Sequence, residues 1–554
     1  MALWSSRFTA SQTVLMTNLT AYAGRWVALA GNQVAGVGYT ANEALHLAQR
    51  NRPKDRFTLQ FVEAPGGKPL ALSPLLERLR PFLTQQDRPV YLVGGAVRDA
   101  LLNRISHDLD FVVPNRAIKL AFHVANGLGV PAYILDKERD TGRVMLADEE
   151  TMLDFARFRG DSLEADLRDR DFTINAMALP AAAATAVSLI DPCDGAADLQ
   201  AGIIRQTHEQ AIANDPVRAL RGLRLAHTLD FSLAEETAVA ITAAAPLLQN
   251  VSIERVRDEL MKLLETAVPH KAMRQMNQLG LMRVVLPEIA DLESVAQSTP
   301  HHEPVLAHTF SVLRWLVKIE AILAGYEPDE PSLAMIAAKL APFQSQLNGH
   351  LNRRVDGGLN GRTLLRLAAL FHDAGKKETQ TIEADGRIRF LGHEKIGSNL
   401  AGARLRRLTL SNQAIKHVKQ IVAGHMRPLH LANAAKSPSR RAIFRYFRDT
   451  GSAGLDIGLL SLADHLATYD GPGQPSQWSR LLDVVFTLFN HYFERHSETV
   501  APPPLIDGRD LLNELHMPPG AEIGRVLRLV QEAQAAGDIH TRDQALNFAR
   551  RATS

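Results

Sequence analysis

The sequence predicts an α+β, multidomain protein, with a small α/β module first, then a sheet-bearing head, then helical regions to the C-terminus. Three observations predict it. With 554 residues, the chain is long enough for roughly three to five domains with substantial cores. Residues 91–113 read as strand, Gly-Gly turn, short helix and strand. Further on, apolar residues recur at helical spacing, as in Ser252–Leu264, where Ile253, Val256, Leu260 and Leu264 share one side. The implied divisions are 1–75, 76–205, 206–295, 296–475 and 476–554.

Composition removes several function classes. The formal charge is +2, so the chain is no polycation, and any nucleic-acid surface must come from local patches. A single cysteine, Cys193, excludes a disulfide framework and a cysteine-rich zinc site. No stretch approaches the roughly 20 apolar residues of a membrane span. The N-terminus lacks the basic, apolar and small-residue succession of a signal peptide. A soluble, cytoplasmic protein with no membrane partner is expected.

In the N-terminal module, Trp26–Ala30, Gly31-Asn32 and Gln33–Val37 read as a tight hairpin. Ala41–Arg50 suits a helix with Thr40 as N-cap, and Phe57–Val62 a closing strand. Ala64–Pro69 is a linker by composition. Nothing here carries chemistry.

The chain is organised around Tyr91–Val113. Gly94 and Gly95 let the backbone pass close to a ligand, and the helix that follows offers free N–H groups to phosphate. Arg98 lies in its first turn. Asp108 and Asp110, spaced i, i+2, project from one face of the second strand, roughly 6.6 Å apart along the chain. Two such carboxylates beside a phosphate cradle suit the pair of Mg²⁺ ions of in-line nucleotidyl transfer. Asp140–Leu146 and Thr151–Ala156 read as paired strands; Asp154 is either a third carboxylate of that centre or a polar residue on the sheet face.

Taken in this order and spacing, Gly94-Gly95, Val97-Arg98-Asp99, Leu101-Leu102 and Asp108-x-Asp110 resemble the nucleotidyltransferase signature of the CCA-adding enzyme and poly(A) polymerase family. The resemblance implies a mixed-sheet, polymerase beta-like head with an all-helical neck behind it. It also implies Mg²⁺ on Asp108 and Asp110, and tRNA, CTP and ATP as partners. Asp166–Ala178 is similar to the family's second motif, which contacts the ribose and triphosphate of the incoming nucleotide; that role carries over to Arg170 and Asp171. Asp169 stands where the family has its first arginine, and Arg168 offers a replacement charge one residue upstream. Asp191–Leu199 matches the following motif, a structural turn.

Asn214–Leu225 supports two readings that are compatible. Asp215 is a suitable N-cap and Pro216 a suitable first helical residue. Asp215 and Arg218, spaced i, i+3, also combine a pure acceptor with a pure donor. Cytosine and adenine both present an amino donor beside a ring-nitrogen acceptor, whereas uracil and guanine put a carbonyl there, so such a pair admits C and A and leaves buried groups unpaired with U or G. The stretch resembles the family's Glu-Asp-x-x-Arg base-reading motif, with Asn214 in place of the glutamate. Ser252–Leu264 resembles the family's last core motif, in the neck.

From about residue 296 the chain is helical and rich in histidine. Leu367–Lys376 sets His372-Asp373 on an apolar helix near its glycine end. With His308 and Asp464 it resembles the HD superfamily of metal-dependent phosphohydrolases, whose ligands run His, His-Asp, Asp. His393 and His425 match the two additional histidines of members with two metals. Imidazole with carboxylate suits Mn, Fe, Ni or Mg. Arg404–Arg448 carries eleven Lys or Arg and no acid, with Phe444, Tyr446 and Phe447 interleaved, which is either a solvated face or a phosphate-contacting patch. Tyr469–Pro475 reads as a linker. Leu505–Leu512 with Pro518–Gly524 resembles the tRNA-binding C-terminal segment of family members.

The sequence thus points to a class II tRNA nucleotidyltransferase with an attached HD domain. CCA-adding, CC-adding and A-adding activity all remain open, and the short stretch Arg157–Glu164 bears on the choice because CC-adding relatives have a reduced loop there. A poly(A) polymerase, and an HD phosphohydrolase with an RNA-holding head, are the rivals.

Overall fold

A computed structural model describes residues 19–23, 25–38, 41–62, 69–146, 151–356, 358–434 and 436–553. Its residues fall into two compact units, one up to Arg218 with Leu229–Ala240, the other Ala219–Thr228 with Ile241 onward.

The first unit opens with β1 (Trp26–Ala30), β2 (Gln33–Gly38) and β3 (Thr58–Phe61), an antiparallel sheet in the order β2-β1-β3. The Ala41–Asn51 helix packs on it around Ala28, Ala35, Ala44 and Ala48. Small residues permit that approach: a Cβ on Gly36 would lie 2.1 Å from the Ala44 carbonyl oxygen. The cap expected at Thr40, and most of the linker expected at 64–69, lie outside the described residues.

The head is a six-stranded mixed sheet. It comprises β4 (Tyr91–Val93), β5 (Leu109–Val113), β6 (Ala132–Asp136), β7 (Thr141–Leu146), β8 (Thr151–Arg157) and β9 (Ala178–Pro180), in the order β6-β7-β8-β5-β4-β9. Only β5 and β8 run parallel, because the Ala117–Leu128 helix and the β6-β7 hairpin supply the long crossover that parallel pairing needs. That helix packs on β7 and β8 with Leu120, Ala121 and Val124 buried. Strand period decides what faces the other way: Leu153 and Phe155 point inward, Met152 and Asp154 outward. On that outward face, Val93, Val112, Leu167 and Ala178 form a second small core with Tyr91, Ala156 and Phe158. The acids lie on the part of this face left open.

The second unit is built of helices. Ala453–Tyr469 is buried almost all round, as a central helix must be. Val305–Leu323 and Asn412–Gly424 pack against it, and Gly361–Phe371 and His393–Arg407 against Asn412–Gly424. The stretch expected as a linker, 469–475, is instead a turn, with Asp470 left-handed at φ 47°, joining two packed helices. Pro475–Glu494 returns onto Ala453–Tyr469 because its buried face, including Trp478, Leu481 and Val485, needs cover. A separate apolar cluster from Ile506 to Ala549 closes the chain.

One buried ion pair ties this unit together. Glu320 (2% exposed) and Arg366 (5%) meet in a fork at 2.5–3.2 Å. Arg366 also donates to the Leu264 and Thr266 carbonyls at 2.6 and 3.1 Å, satisfying the end of the Ile253–Glu265 helix. Arg366→Ala is expected to cost about 3–5 kcal/mol, since it leaves a buried carboxylate and two carbonyls unpaired. Chemical denaturation monitored by circular dichroism measures it.

Candidate active site and candidate metal centre

Gly94, between β4 and the Gly95–Leu101 helix, sits at φ +71°, a conformation glycine adopts without strain. A Cβ there would lie 3.2 Å from Arg170 Nη1 and 3.5 Å from Asp110 Oδ2. The turn, the guanidinium and the carboxylate therefore share one small space. Asp110 pairs in register with Val93 on one side and Asp154 on the other, and Asp154 in turn with Arg143. Asp108, expected on the same strand face, instead lies just ahead of β5, exposed and near enough to raise the Asp110 carboxyl.

Charge is unevenly distributed across this row. Crowding by the surrounding chain raises the Asp110 carboxyl to about 6; Arg170 opposes that, while Asp154 and Asp108 add to it. Its side chain still reaches solvent. Asp154, the possible third carboxylate, lies beside Asp110 but is held bidentately by Arg143 at 2.6 and 2.7 Å.

Other residues singled out from the sequence are employed within the chain. Arg98 donates to Asp99 and Asn175 at 2.8 Å each. Asp171 is buried, and its Oδ1 accepts from the Phe172 backbone and from Asn175. Arg168 turns along its own helix to Glu164 at 2.9 Å. Arg218 (8% exposed) donates to the carbonyls of Asp169, Arg170 and Ala211 at 3.0–3.2 Å, and its Nε lies 3.9 Å from Asp215. Asp191 caps the turn at Gly195 and Ala196, as expected of a structural motif.

In the second unit, six ligand-type residues scattered over 157 positions, His308 to Asp464, converge. Among the described residues, two sets can hold a metal ion, His308/His372/Asp373 and Asp373/His393/His425, with Asp373 in both. His308 Nε2 lies 2.9 Å from Asp464 Oδ1, His372 Nε2 3.1 Å from Asp373 Oδ2, and His393 Nε2 3.4 Å from Asp373 Oδ1 and 3.2 Å from His425 Nε2. Three of the four histidines sit at helix ends: His372, His393 and His425 place Nδ1 2.8 Å from the carbonyl three residues earlier. That contact fixes the N–H on Nδ1 and leaves Nε2 to ligate. Burial and the neighbouring His372 and His393 pull His425 down to about 3, keeping it neutral. His372 Nε2 and Asp373 Oδ2 are buried without a well-formed hydrogen bond, although Lys376 Nζ approaches Oδ2 to 2.7 Å. Buried imidazole and carboxylate atoms converging in this way fit a divalent cation.

Comparison with known proteins bears on both sites. Residues 90–205 match the poly A polymerase head domain, 230–292 a probable RNA- and SrmB-binding site of polymerase A, and 345–469 the HD domain. The A-adding tRNA nucleotidyltransferase of Deinococcus radiodurans is 32% identical over 86% of this chain and 98% of its own length. The chain belongs to the CCA-adding tRNA nucleotidyltransferase and poly(A) polymerase family. The CC-adding tRNA nucleotidyltransferase of Thermus thermophilus is 31% identical over 84% of this chain and 94% of its own. A CCA-adding enzyme solved with CTP aligns over 87% of this chain and 97% of its own, with a TM-score of 0.56 and 20% identity, a likeness that speaks for the fold alone.

Nucleotidyltransferase heads of this family and HD domains generally use divalent metals, and here two residue sets have donors suited to them. No helix among the described residues is long and apolar enough to cross a membrane. In the basic stretch of this nucleotidyltransferase the aromatics and the cations are placed differently. The aromatics of the basic stretch, Phe444, Tyr446 and Phe447, are buried in the core. Arg441, Arg445 and Arg448 are engaged by Glu532 and Arg404 by Glu288, because a dense cationic helix face is best neutralised by acids packed onto it. Arg406, Arg407, Lys416 and Lys436 of the same stretch stay exposed.

Several residues had escaped the sequence reading. Asp166 and Arg143 hold the charges around Asp110, and Lys376 approaches Asp373 while lying over Phe390. His301 packs edge-on to His308, and burial with Lys376 nearby pulls it to about 4. Two turns before Asp464 and His425, on the same helices, Asp456 lies 2.8 Å from His350 Nε2 and 3.0 Å from His417 Nε2. Only the His301-His302 pair beside Pro304 gave any local signal.

Proposed function

We propose that this protein extends tRNA 3′ ends with C, A or both, from CTP and ATP, by two-metal nucleotidyl transfer on Asp108 and Asp110. The observation that carries the reading is the shared space of Gly94, Arg170 and Asp110 at the open end of the sheet. Asp108 and Asp110 offer hard carboxylate oxygens, the donors Mg²⁺ prefers. Mg²⁺ bound there would supply Lewis-acid charge to the reacting phosphate. Gly94 and Gly95 bring the backbone close to the triphosphate, and Arg170 faces it. Asp171 and Arg98 act beneath them through Asn175.

Base selection falls to Asp215 and Arg218. The Arg218 Nη groups are occupied by carbonyls, so its Nε edge, beside Asp215, is what remains for a base. The 158–162 turn is short and pinned, with the Arg159 backbone N donating to Asp166 and its Nη1 to the Asp169 carbonyl. Among the three possible products this turn favours CC. In this reading 76–205 is the head, 206–295 the neck, 296–475 the HD domain and 476–554 the tRNA-binding end, in a cytoplasmic enzyme; the 1–75 module takes no part in the chemistry. The HD centre, with Mn, Fe, Ni or Mg on His308, His372, Asp373, His393, His425 and Asp464, adds a phosphohydrolase activity, a second reading favoured by the buried His372 Nε2 and Asp373 Oδ2.

Product sizing tests this on tRNA lacking CCA, ending in C and ending in CC, with CTP and ATP separately and together. Growth of the first two substrates to CC and no further is the expected result. Completion to CCA on all three would make it a full CCA-adding enzyme, and activity on the CC end alone an A-adding one. Long A tails would make it a poly(A) polymerase. No addition to any substrate would sink the nucleotidyltransferase reading.

A further inference from the structure

Arg170 is aimed by a residue outside the catalytic pair. Asp166 lies on the Leu163–Arg168 helix, which starts at Ser162, whose side chain accepts from the Ala165 backbone N at 3.2 Å. Its side chain is 1% exposed. Oδ2 accepts from both Arg170 Nε and Nη2, at 3.1 and 3.0 Å. Oδ1 accepts from the backbone N of Arg159, at 3.0 Å. One carboxylate thus grips the Nε/Nη2 edge of the guanidinium and turns Nη1 toward Gly94 and Asp110.

The backbone beneath is fixed independently. The Arg170 carbonyl accepts from Thr207 Oγ1 at 2.5 Å and from Arg218 Nη1 at 3.2 Å, and the Asp169 carbonyl from Arg218 Nη2 and Arg159 Nη1 at 3.0 and 3.1 Å. With the main chain held this way, the direction of the Arg170 side chain depends on Asp166. A guanidinium gripped along one edge loses little further freedom when its other end meets a phosphate. The same carboxylate holds the 158–162 turn through Arg159, so the turn and the guanidinium share one anchor.

We propose that Asp166 is a positioning residue for nucleotidyl transfer: it aims Arg170 at the triphosphate of the incoming nucleotide and ties that aim to the 158–162 turn. The inference rests on the nucleotidyltransferase reading above. It makes Asp166 act through Arg170, and that distinguishes it from a residue that only stabilises the fold.

A double-mutant cycle decides. Asp166→Ala, Arg170→Ala and the double variant are compared by kcat and KM for CTP, KM for tRNA and melting temperature; Asp166→Asn, of the same shape, repeats the cycle if the alanine variant unfolds. Asp166→Ala is expected to lower kcat/KM for CTP by about 10²-fold, as misplacing a reacting group does, with the KM for tRNA unchanged. The double variant should be no worse than Arg170→Ala. Arg159→Pro, which deletes the N–H that Oδ1 accepts, should raise the KM for CTP in the wild-type background and not beside Arg170→Ala. Losses at Asp166 and Arg170 that multiply, or a lowered melting temperature with CTP kinetics intact, would overturn the inference while leaving the nucleotidyltransferase reading standing. An inactive wild-type protein would sink both.

Discussion

Asp110→Asn should lower nucleotide addition by about 10³-fold or more, because it removes a metal-binding oxygen and the charge that neutralises the cation. The same substitution should raise the melting temperature of the metal-free protein at pH 7.5. The sign follows from the direction of the shift. Crowding holds the folded carboxyl near 6, above its ordinary value of 3.8, so the folded state binds the proton more tightly than the unfolded one. Ionisation therefore destabilises the fold progressively as pH rises from about 3.8 to 6, and fully above that. Asparagine carries no such cost. Added Mg²⁺ should reverse the order by stabilising only the wild type, and the Mg²⁺ needed for half-maximal activity should climb as pH falls below 6, where a proton competes for the site. Melting curves in EDTA and in Mg²⁺, with single-turnover incorporation from pH 5 to 8, measure all three. An Asp110→Asn variant that melts below wild type in EDTA at pH 7.5 would contradict this electrostatic account.

Asp373→Asn is expected to empty both halves of the HD centre at once. Oδ2 faces His372 and His308 while Oδ1 faces His393 and His425. An amide offers one weak oxygen ligand and a nitrogen that does not ligate, so both candidate sets would lose the carboxylate they share. Elemental analysis should show any bound divalent metal falling to near zero, against partial loss for His393→Ala, which touches one set alone. Phosphatase activity on a model phosphoester should vanish with the metal, while nucleotide addition stays within about threefold of wild type, since Asp108 and Asp110 are separate chemistry. Conversely, Asp110→Asn should spare phosphatase activity. Loss of nucleotide addition in Asp373→Asn with the fold intact would make the HD centre part of the transfer reaction.

Much of the design was legible in the sequence because local physics fixes it. The Gly31-Asn32 hairpin, the strand, Gly-Gly turn, helix and strand around Asp110, and the turn in Asp191–Leu199 are all set by neighbours a few residues apart. The candidate HD residues were legible through a resemblance, because His372-Asp373 on an apolar helix matches the HD pattern and His308, His393, His425 and Asp464 follow it in order. Their meeting was not, because the helices bearing His308 and Asp464 are 156 residues apart in sequence and only packing brings them within 2.9 Å.

Charge partners were the least legible. Eleven cations in Arg404–Arg448 looked available, but Glu532, far down the chain, folds back onto three of them. Within one motif, Asp166 and Asp171 were indistinguishable in kind; the fold turned Asp171 inward to the Phe172 backbone and gave Arg170 to Asp166. The sequence by itself determined which residue types and local turns exist, because backbone sterics and hydrogen bonding act over a few residues. Only the tertiary structure decided which charges neutralise one another, because pairing strength depends on distance and burial, and the chain sets both only when it packs.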